Sequence, residues 1–319
     1  MQSFLDPAIL FFVFGMVAGL LKSNLEIPAP ISRFLSLYLL MALGLKGGFA
    51  LAESGLTSEV AVSLGAALLL ATVVPLMGYA LLRRFLNGYD AAAIAATYGS
   101  VSAVTFITAV QYLDTHSIEY GGHMAAAMAL MESPAIILAV VLANVVRRHE
   151  GSASTSPSMG KILHESVTDG AQLLLLGAML IGLLTGAAGE AVMKPFSVDL
   201  FKGMLAFFLL DMGLLAARNL GSLRGKSAWL LAYAVLGPLV HAGMAFGLGW
   251  VLGLSSGNVA LLMVLAASAS YIAVPAVIRH AIPEANPSLY FSMSLGLTFP
   301  FNILIGIPLY VSIAQKLGT

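Results

Sequence analysis

The chain has no cysteine, which removes disulfides, thiol nucleophiles, thiolate metal sites and iron–sulfur clusters together. Charge is also scarce. Asp, Glu, Lys and Arg make up 9% of the 319 residues, against roughly 25% in a soluble domain. Acidic and basic side chains balance at 15 each, so no net field points to nucleic acid or an anionic surface as partner. No Lys or Arg precedes Lys22, so the cationic start of a cleaved signal peptide is missing and none is expected.

Apolar residues are abundant, at 59% of the chain, and they come in long runs, as an integral membrane protein requires. A helix needs about 20 apolar residues to cross the hydrocarbon. Ten runs separated by short polar or Gly/Pro punctuation are predicted, near 7–22, 31–51, 59–82, 89–112, 121–146, 168–188, 200–217, 227–253, 257–278 and 288–313. With the N-terminus outside, inner loops hold eleven Lys and Arg and outer loops hold Lys194, Lys202 and Lys316. That asymmetry follows the positive-inside rule and predicts both termini outside a bacterial inner membrane.

The one linker-like stretch, 149–167 with its GSASTSPS core, divides the runs into five and five: 1–148 and 168–319. An odd number of spans per half makes the halves opposite in orientation. LLMALG (39–44) resembles FLLDMG (208–213), and Pro75 in VPLMG matches Pro238 in GPLVH. Ser100-x-Ser102 matches Ser268-x-Ser270, and Glu132-x-Pro134 matches Thr298-x-Pro300, all at offsets between 163 and 169 residues. The expected fold is therefore an all-α membrane protein of ten transmembrane helices in two inverted repeats of five.

In such folds the site lies where corresponding helices of the two halves are broken near the midplane. Spans four and nine fit, with GSVSAVTFIT (99–108) and ASASYIAVP (267–275). Ser100, Ser102, Thr105, Ser268, Ser270 and Tyr271 are the candidate substrate-binding residues. Half-helix N-termini meeting there would hold a small anion without a buried Arg; the competing reading is that these small residues only let helices approach. Glu132 and Ser133 in span five, with Thr298 and Asn302 in span ten, are candidates for a coupling ion. A carboxylate beside carbonyls freed by Pro134 offers oxygen to sodium or a place for a proton. Lys46 and Asp211 occupy neighbouring positions of equivalent spans, as a scaffold ion pair or as transport residues. His123 and His241 lack a second ligand at helical spacing, which favours structural hydrogen bonding over metal.

GLKGG (44–48), GSVSAVT (99–105), ESPA (132–135), GPLVHAGMAFGLG (237–249) and IPEANPSLY (282–290) together resemble the sodium-dependent bicarbonate transporter family, the SbtA-like proteins, over nearly the whole length. The resemblance implies a homotrimer, elevator-like movement of a core domain against a scaffold, a bicarbonate site between the broken helices, and sodium as the driving ion, with no other cofactor. It matches Ser102 and Thr105 to family hydroxyls in the first broken helix, and Ser268 and Ser270 to those in the second. Glu132 stands where those members have Asp, and Tyr271 stands where they have an acid, which weakens the case for sodium. It also implies a PII-like regulatory partner engaged by the inner linker, which is shorter here. Other readings are proton-coupled uptake of another small carboxylate, a channel, and an intramembrane hydrolase, for which nothing in the sequence brings a given Ser to a given His.

The orientation has a direct test, because the chain is free of native cysteine. Single cysteines at Ser3, Ser154 and Thr319 are treated on whole cells with an impermeant thiol reagent. The two termini should label and Ser154 should not; labelling at Ser154 alone would reverse the topology.

Overall fold

The computed structural model describes residues 6–55, 57–149, 170–223 and 225–316. Apart from residue 149 the central linker lies outside them, as do Ser3, Ser154 and Thr319. All regular elements among the described residues are helical. Seven stretches are long and apolar enough to cross a membrane: Ala29–Ser54, Ser58–Leu82, Gly88–Thr115, Met124–Arg148, Gly170–Leu220, Ala228–Val251 and Pro287–Gln315. Pro7–Leu20 and Ser256–Ala267 are shorter apolar helices.

In chain order the helices are α1 (Pro7–Leu20), α2 (Ala29–Ser54), α3 (Ser58–Leu82), α4 (Gly88–Gly99), α5 (Ala103–Thr115) and α6 (Met124–His149). They continue as α7 (Gly170–Lys194), α8 (Phe201–Leu220), α9 (Ala228–Val251), α10 (Ser256–Ala267), α11 (Ala273–Ala281) and α12 (Pro287–Gln315). Side chains mark several starts. Asp6 caps α1 by accepting from the Ala8 N–H, with Pro7 in the first turn. Asn87 caps α4, Ser102 caps α5, and Asn286 followed by Pro287 caps α12. Each cap satisfies a donor that the helix itself leaves open. The run from α7 to α8 bends at Gly186, whose φ of 52° is left-handed and suits glycine, and again at a π-turn over Pro195–Asp199.

Glycine sets the packing of the first bundle. Gly15 of α1 lies on the Leu210 backbone of α8, and Gly213 of α8 lies on the Phe12 carbonyl of α1. Gly44 and Gly48 of α2 lie against Leu175 and Met179 of α7, and Gly182 returns the contact to Leu45. Lipid tails provide no hydrophobic drive between helices, so close backbone approach at small residues supplies the contact instead. The outward face of α7, with Leu176, Leu180 and Leu184 exposed, suits lipid.

The second bundle contains α3, α4, α5, α6, α9, α10 and α11, with α3 against α4 and α6, α9 against α10, α5 against α10, and α11 against α6. Its loops are held by buried polar anchors. Arg147, 4% exposed, donates to both carboxylate oxygens of Glu284 at 2.8 and 2.6 Å, to Asn144 Oδ1 at 2.8 Å and to the Ala281 carbonyl at 3.1 Å. The guanidinium holds the Glu284 carboxyl below the usual carboxylate range. Asp90 Oδ1 accepts from the Asn286 N–H at 2.7 Å, and Asn258 Oδ1 accepts from the Gly121 N–H at 2.7 Å. The segment IPEANPSLY is thus tied down by its acid and by a backbone amide in addition to the burial of Ile282, Ala285, Leu289 and Tyr290.

A methyl group tests the α2–α7 crossing. One placed at Gly48 collides with the Met179 carbonyl, whereas one at Gly65 on α3 meets open space. Gly48→Ala should cost about 1–3 kcal/mol and lower the thermal midpoint in detergent. Gly65→Ala should leave that midpoint unchanged or raise it. Equal behaviour of the two variants would remove the packing argument.

Candidate functional site

Two of the apolar stretches are interrupted, and the interruptions cross. The first runs through Ser100, Val101 and Ser102 between α4 and α5, and the second through residues 268–272 between α10 and α11. A broken helix in hydrocarbon leaves N–H and C=O groups that water cannot reach. Here each break supplies part of what the other lacks. The Ser102 N–H donates to Ser268 Oγ at 3.0 Å, and the Ser270 N–H donates to the Thr97 carbonyl of α4 at 2.8 Å. Ser268 Oγ also donates to the Leu265 carbonyl at 2.8 Å. Asn302 Nδ2 donates to the Ala267 carbonyl at 2.8 Å, catching the end of α10.

The serines beyond each break serve the helices that follow. Ser102 Oγ accepts from the Thr105 N–H at 3.2 Å, and Ser270 Oγ accepts from the Val274 N–H at 3.2 Å. Both hydroxyls keep a proton to donate elsewhere. At the start of α5 the first intrahelical acceptor to be used is the Ser102 carbonyl, taken by the Phe106 N–H. The Ala103 and Val104 N–H groups precede it and have no intrahelical partner. Two helix N-termini, α5 and α11, therefore present donors and the positive ends of their dipoles to one place.

That place is a cavity of about 230 Å³ bordered by Ser102, Ser270, Tyr271, Glu132, Gln172 and Ser36 among apolar neighbours such as Ile136 and Val277. It is far larger than the roughly 10–15 Å³ that one water needs. Gln172 Nε2 donates to Glu132 Oε2 at 2.6 Å. The Tyr271 ring lies 5.1 Å from the Phe299 ring, and its hydroxyl points to Met212 Sδ at 3.7 Å. The position where an acid is expected in the resembled family is thus filled by an aromatic wall.

Four of the twelve residues singled out in the sequence, Ser102, Ser270, Tyr271 and Glu132, border this cavity. Ser268 supports the crossing rather than the cavity. Ser100 and Thr105 are buried beside it, and their hydroxyls have no hydrogen-bond partner. Thr298 bonds to the Tyr98 hydroxyl and the Ala234 carbonyl, both at 2.6 Å, and Asn302 also accepts from the Tyr310 hydroxyl. These two residues stabilise backbone, and neither borders the cavity. The Ser133 side chain lies outside what is described.

Lys46 and Asp211 do not form the scaffold pair that their spacing suggested. Lys46 Nζ reaches Asp114 at 2.6 Å instead, because the end of α5 comes down beside α2. Asp211 is 5% exposed, and its Oδ2 is without a hydrogen-bond partner. His123 Nε2 and His241 Nδ1 are likewise unpartnered, and among the described residues no three His, Asp or Glu gather as a divalent-metal site would require. Gln172 and Ser36 escaped the sequence reading. Each sits in the first two turns of its helix, where a polar residue looks like punctuation; an amide just inside an apolar run was the available signal.

Comparison with curated proteins finds no match to the chain. A family model described as the Na+-dependent bicarbonate transporter superfamily matches residues 7–315. That match spans both breaks, the cavity between them and all twelve helices around it, and the chain belongs to the Na+-dependent bicarbonate transporter superfamily.

Proposed function

We propose that the protein is a secondary active symporter that carries bicarbonate with sodium, working by elevator-like alternating access. The observation that carries this reading is the cavity at the crossing of the two chain breaks, largely apolar but bordered by the N-termini of two helices and by the Ser102 and Ser270 hydroxyls. A singly charged oxyanion takes hydrogen bonds from the Ser102 and Ser270 hydroxyls and from the open N–H groups of α5. The helix ends supply positive potential without a fixed cation, so the anion is held by partial charges and is free to leave. Sodium takes oxygen ligands at Glu132, which borders the same cavity. Ser268, Ser100 and Thr105 support the crossing.

Ten spans in an inverted repeat are supported by lengths and by equivalent contacts. The Gly170–Leu220 run of 51 residues would reach about 75 Å as one helix, more than twice a hydrocarbon core of about 30 Å. Its bends make it two crossings. With α1 and the α10–α11 pair added, the count is ten. The bond from Asn286 to Asp90 and the bond from Gly121 to Asn258 exchange when the halves are swapped, with offsets of about 165 and 168 residues. The α1–α8 and α2–α7 packings exchange in the same way. Both termini lie outside, in a bacterial inner membrane, with three copies to the assembly.

The Tyr271 wall favours a second reading in which the cargo is another small carboxylate with an apolar part, driven by protons or sodium. Proteoliposomes separate the two readings through uptake of labelled bicarbonate, then of small carboxylates, under imposed sodium or proton gradients. Sodium-driven bicarbonate uptake is expected.

Ser102→Ala and Ser270→Ala should each raise the half-saturating anion concentration about two- to hundredfold, since a lost hydrogen bond costs about 0.5–1.5 kcal/mol, or up to ~3 kcal/mol at a charged acceptor. Parent-like kinetics in both variants would move the site elsewhere. Glu132→Gln should abolish gradient-driven uptake while leaving folded protein in the membrane, and Tyr271→Asp should steepen the sodium dependence. An unchanged ion response in both would remove sodium from this cavity.

A further inference from the structure

The two bundles meet in an offset register. Lys46 lies eight residues before the end of α2 at Ser54, about 12 Å of helix, yet its partner Asp114 is next to last in α5. The end of α5 is therefore recessed by about 12 Å from the end of α2, at the outer end in the orientation proposed above, while α1 and α8 start level with it, Asp6 and Lys202 bordering one cavity with Thr115 and His116. The opposite end shows the complementary overhang. Beyond Glu132, α6 continues for sixteen residues to Arg148, about 24 Å, while Ser36 of α2, on the same cavity, is only seven residues, about 10 Å, from the start of α2 at Ala29.

Polar contacts fix this register at two heights. Gly44 packs on Leu175 and Gly48 on Met179, so α2 and α7 run parallel and in step. Gln172 therefore sits about two turns below the level of Lys46. Across the interface Glu132 lies eight residues into α6, about 12 Å below its start at Met124, which is close to the level of Asp114. Lys46 to Asp114 and Gln172 to Glu132, both at 2.6 Å, are thus spaced alike on the two bundles. The Tyr120 hydroxyl adds a bond to Asp114 Oδ1 at 2.9 Å, and above the pair the Gly47 and Gly122 backbones touch, closing the outer side.

We infer that Lys46 and Asp114 form a lock that holds the second bundle in its present register against α2, separate from the cargo cavity. The inference rests on the reading of the two bundles as parts that slide past one another. The pair is partly exposed, at 24% and 31% of the two side chains, so water can take over both charges when it opens, and the lock is reversible. Any outward slide of one helical turn, about 5.4 Å, breaks it. Lys46, which the sequence leaves stranded in an apolar span, thereby gains a role that changes with conformation.

The test reads distance and needs no cargo. Glu53→Cys on α2 and Glu119→Cys after α5, both exposed, are spin-labelled in the otherwise cysteine-free chain in liposomes, and pulsed electron–electron resonance measures their separation. Lys46→Ala and Asp114→Ala should each raise the ratio of the second distance population to the first by roughly two- to fivefold, the range of a partly exposed ion pair. The exchange Lys46→Asp with Asp114→Lys should return the parent distribution. Unchanged distributions in both single variants, or a shift that the exchange does not reverse, would overturn the lock. Failure of bicarbonate uptake would leave this readout untouched, so the two readings fail separately.

Discussion

Everything around the cavity depends on one constraint: a backbone polar group inside hydrocarbon must find a partner within the protein. Two broken helices would each be costly alone, since an unmet amide costs about 1–3 kcal/mol by mutational measures. Laid across one another they become mutually satisfying. Ser102 and Ser270 donate across the crossing through their backbone N–H groups and cap the following half-helices through their side chains. The same residues leave the first N–H groups of α5 facing the cavity. The donors available to an anion are thus the remainder of the hydrogen-bond accounting that allows the chain to break there at all.

The division of labour between the bundles follows from what each uses for contact. The α1, α2, α7 and α8 bundle is joined by backbone against backbone at glycines, a steric fit with little tolerance for sliding within it. Between the bundles one glycine backbone contact, Gly47 on Gly122, is joined by polar side-chain contacts: a partly exposed ion pair, an amide on a carboxylate, and a tyrosine hydroxyl on a thioether. Such contacts are directional, yet each can be replaced by water or by another partner. Rigid units joined by exchangeable polar contacts are what two discrete arrangements require, because packed interiors are bistable and do not deform continuously.

Much of this was legible in the sequence, and the reasons are physical. Apolar runs of fixed length place helices, and a Ser-x-Ser pair repeated at one offset marks both breaks, because hydroxyls inside a span are uncommon without a backbone group to serve. What the sequence hid was partner choice between distant elements. Lys46 and Asp211 looked matched because they hold neighbouring positions in equivalent spans, but equivalence under an inverted repeat does not imply contact. The true partner, Asp114, sits at a helix end where an acid looks like ordinary punctuation. Gln172 was hidden for the same reason. Thr298 and Asn302 are polar residues in mid-span whose donors serve the Ala234 and Ala267 carbonyls, a partnership between distant elements that the sequence does not display.

Tyr271 shows how far a familiar scaffold constrains the chemistry it carries. The backbone donors and the dipole ends at the crossing arise from helix geometry and do not depend on the side chain at this position. The proposed preference for an anion would therefore not depend on whether an acid or a ring stands at this position. What a carboxylate would add is a hard oxygen ligand, and here the ring turns its one oxygen to Met212 Sδ and its face toward Phe299. In the proposed symport the cation's oxygen ligands would then depend on Glu132, whose carboxylate already accepts from Gln172 of the opposite bundle. There, a cation held by both carboxylate oxygens would share Oε2 with the Gln172 amide, and one held by Oε1 alone would leave that bond in place. On that reading the ion and the opposite bundle meet on one carboxylate, which is how occupancy of the ion site would bear on the position of the bundles.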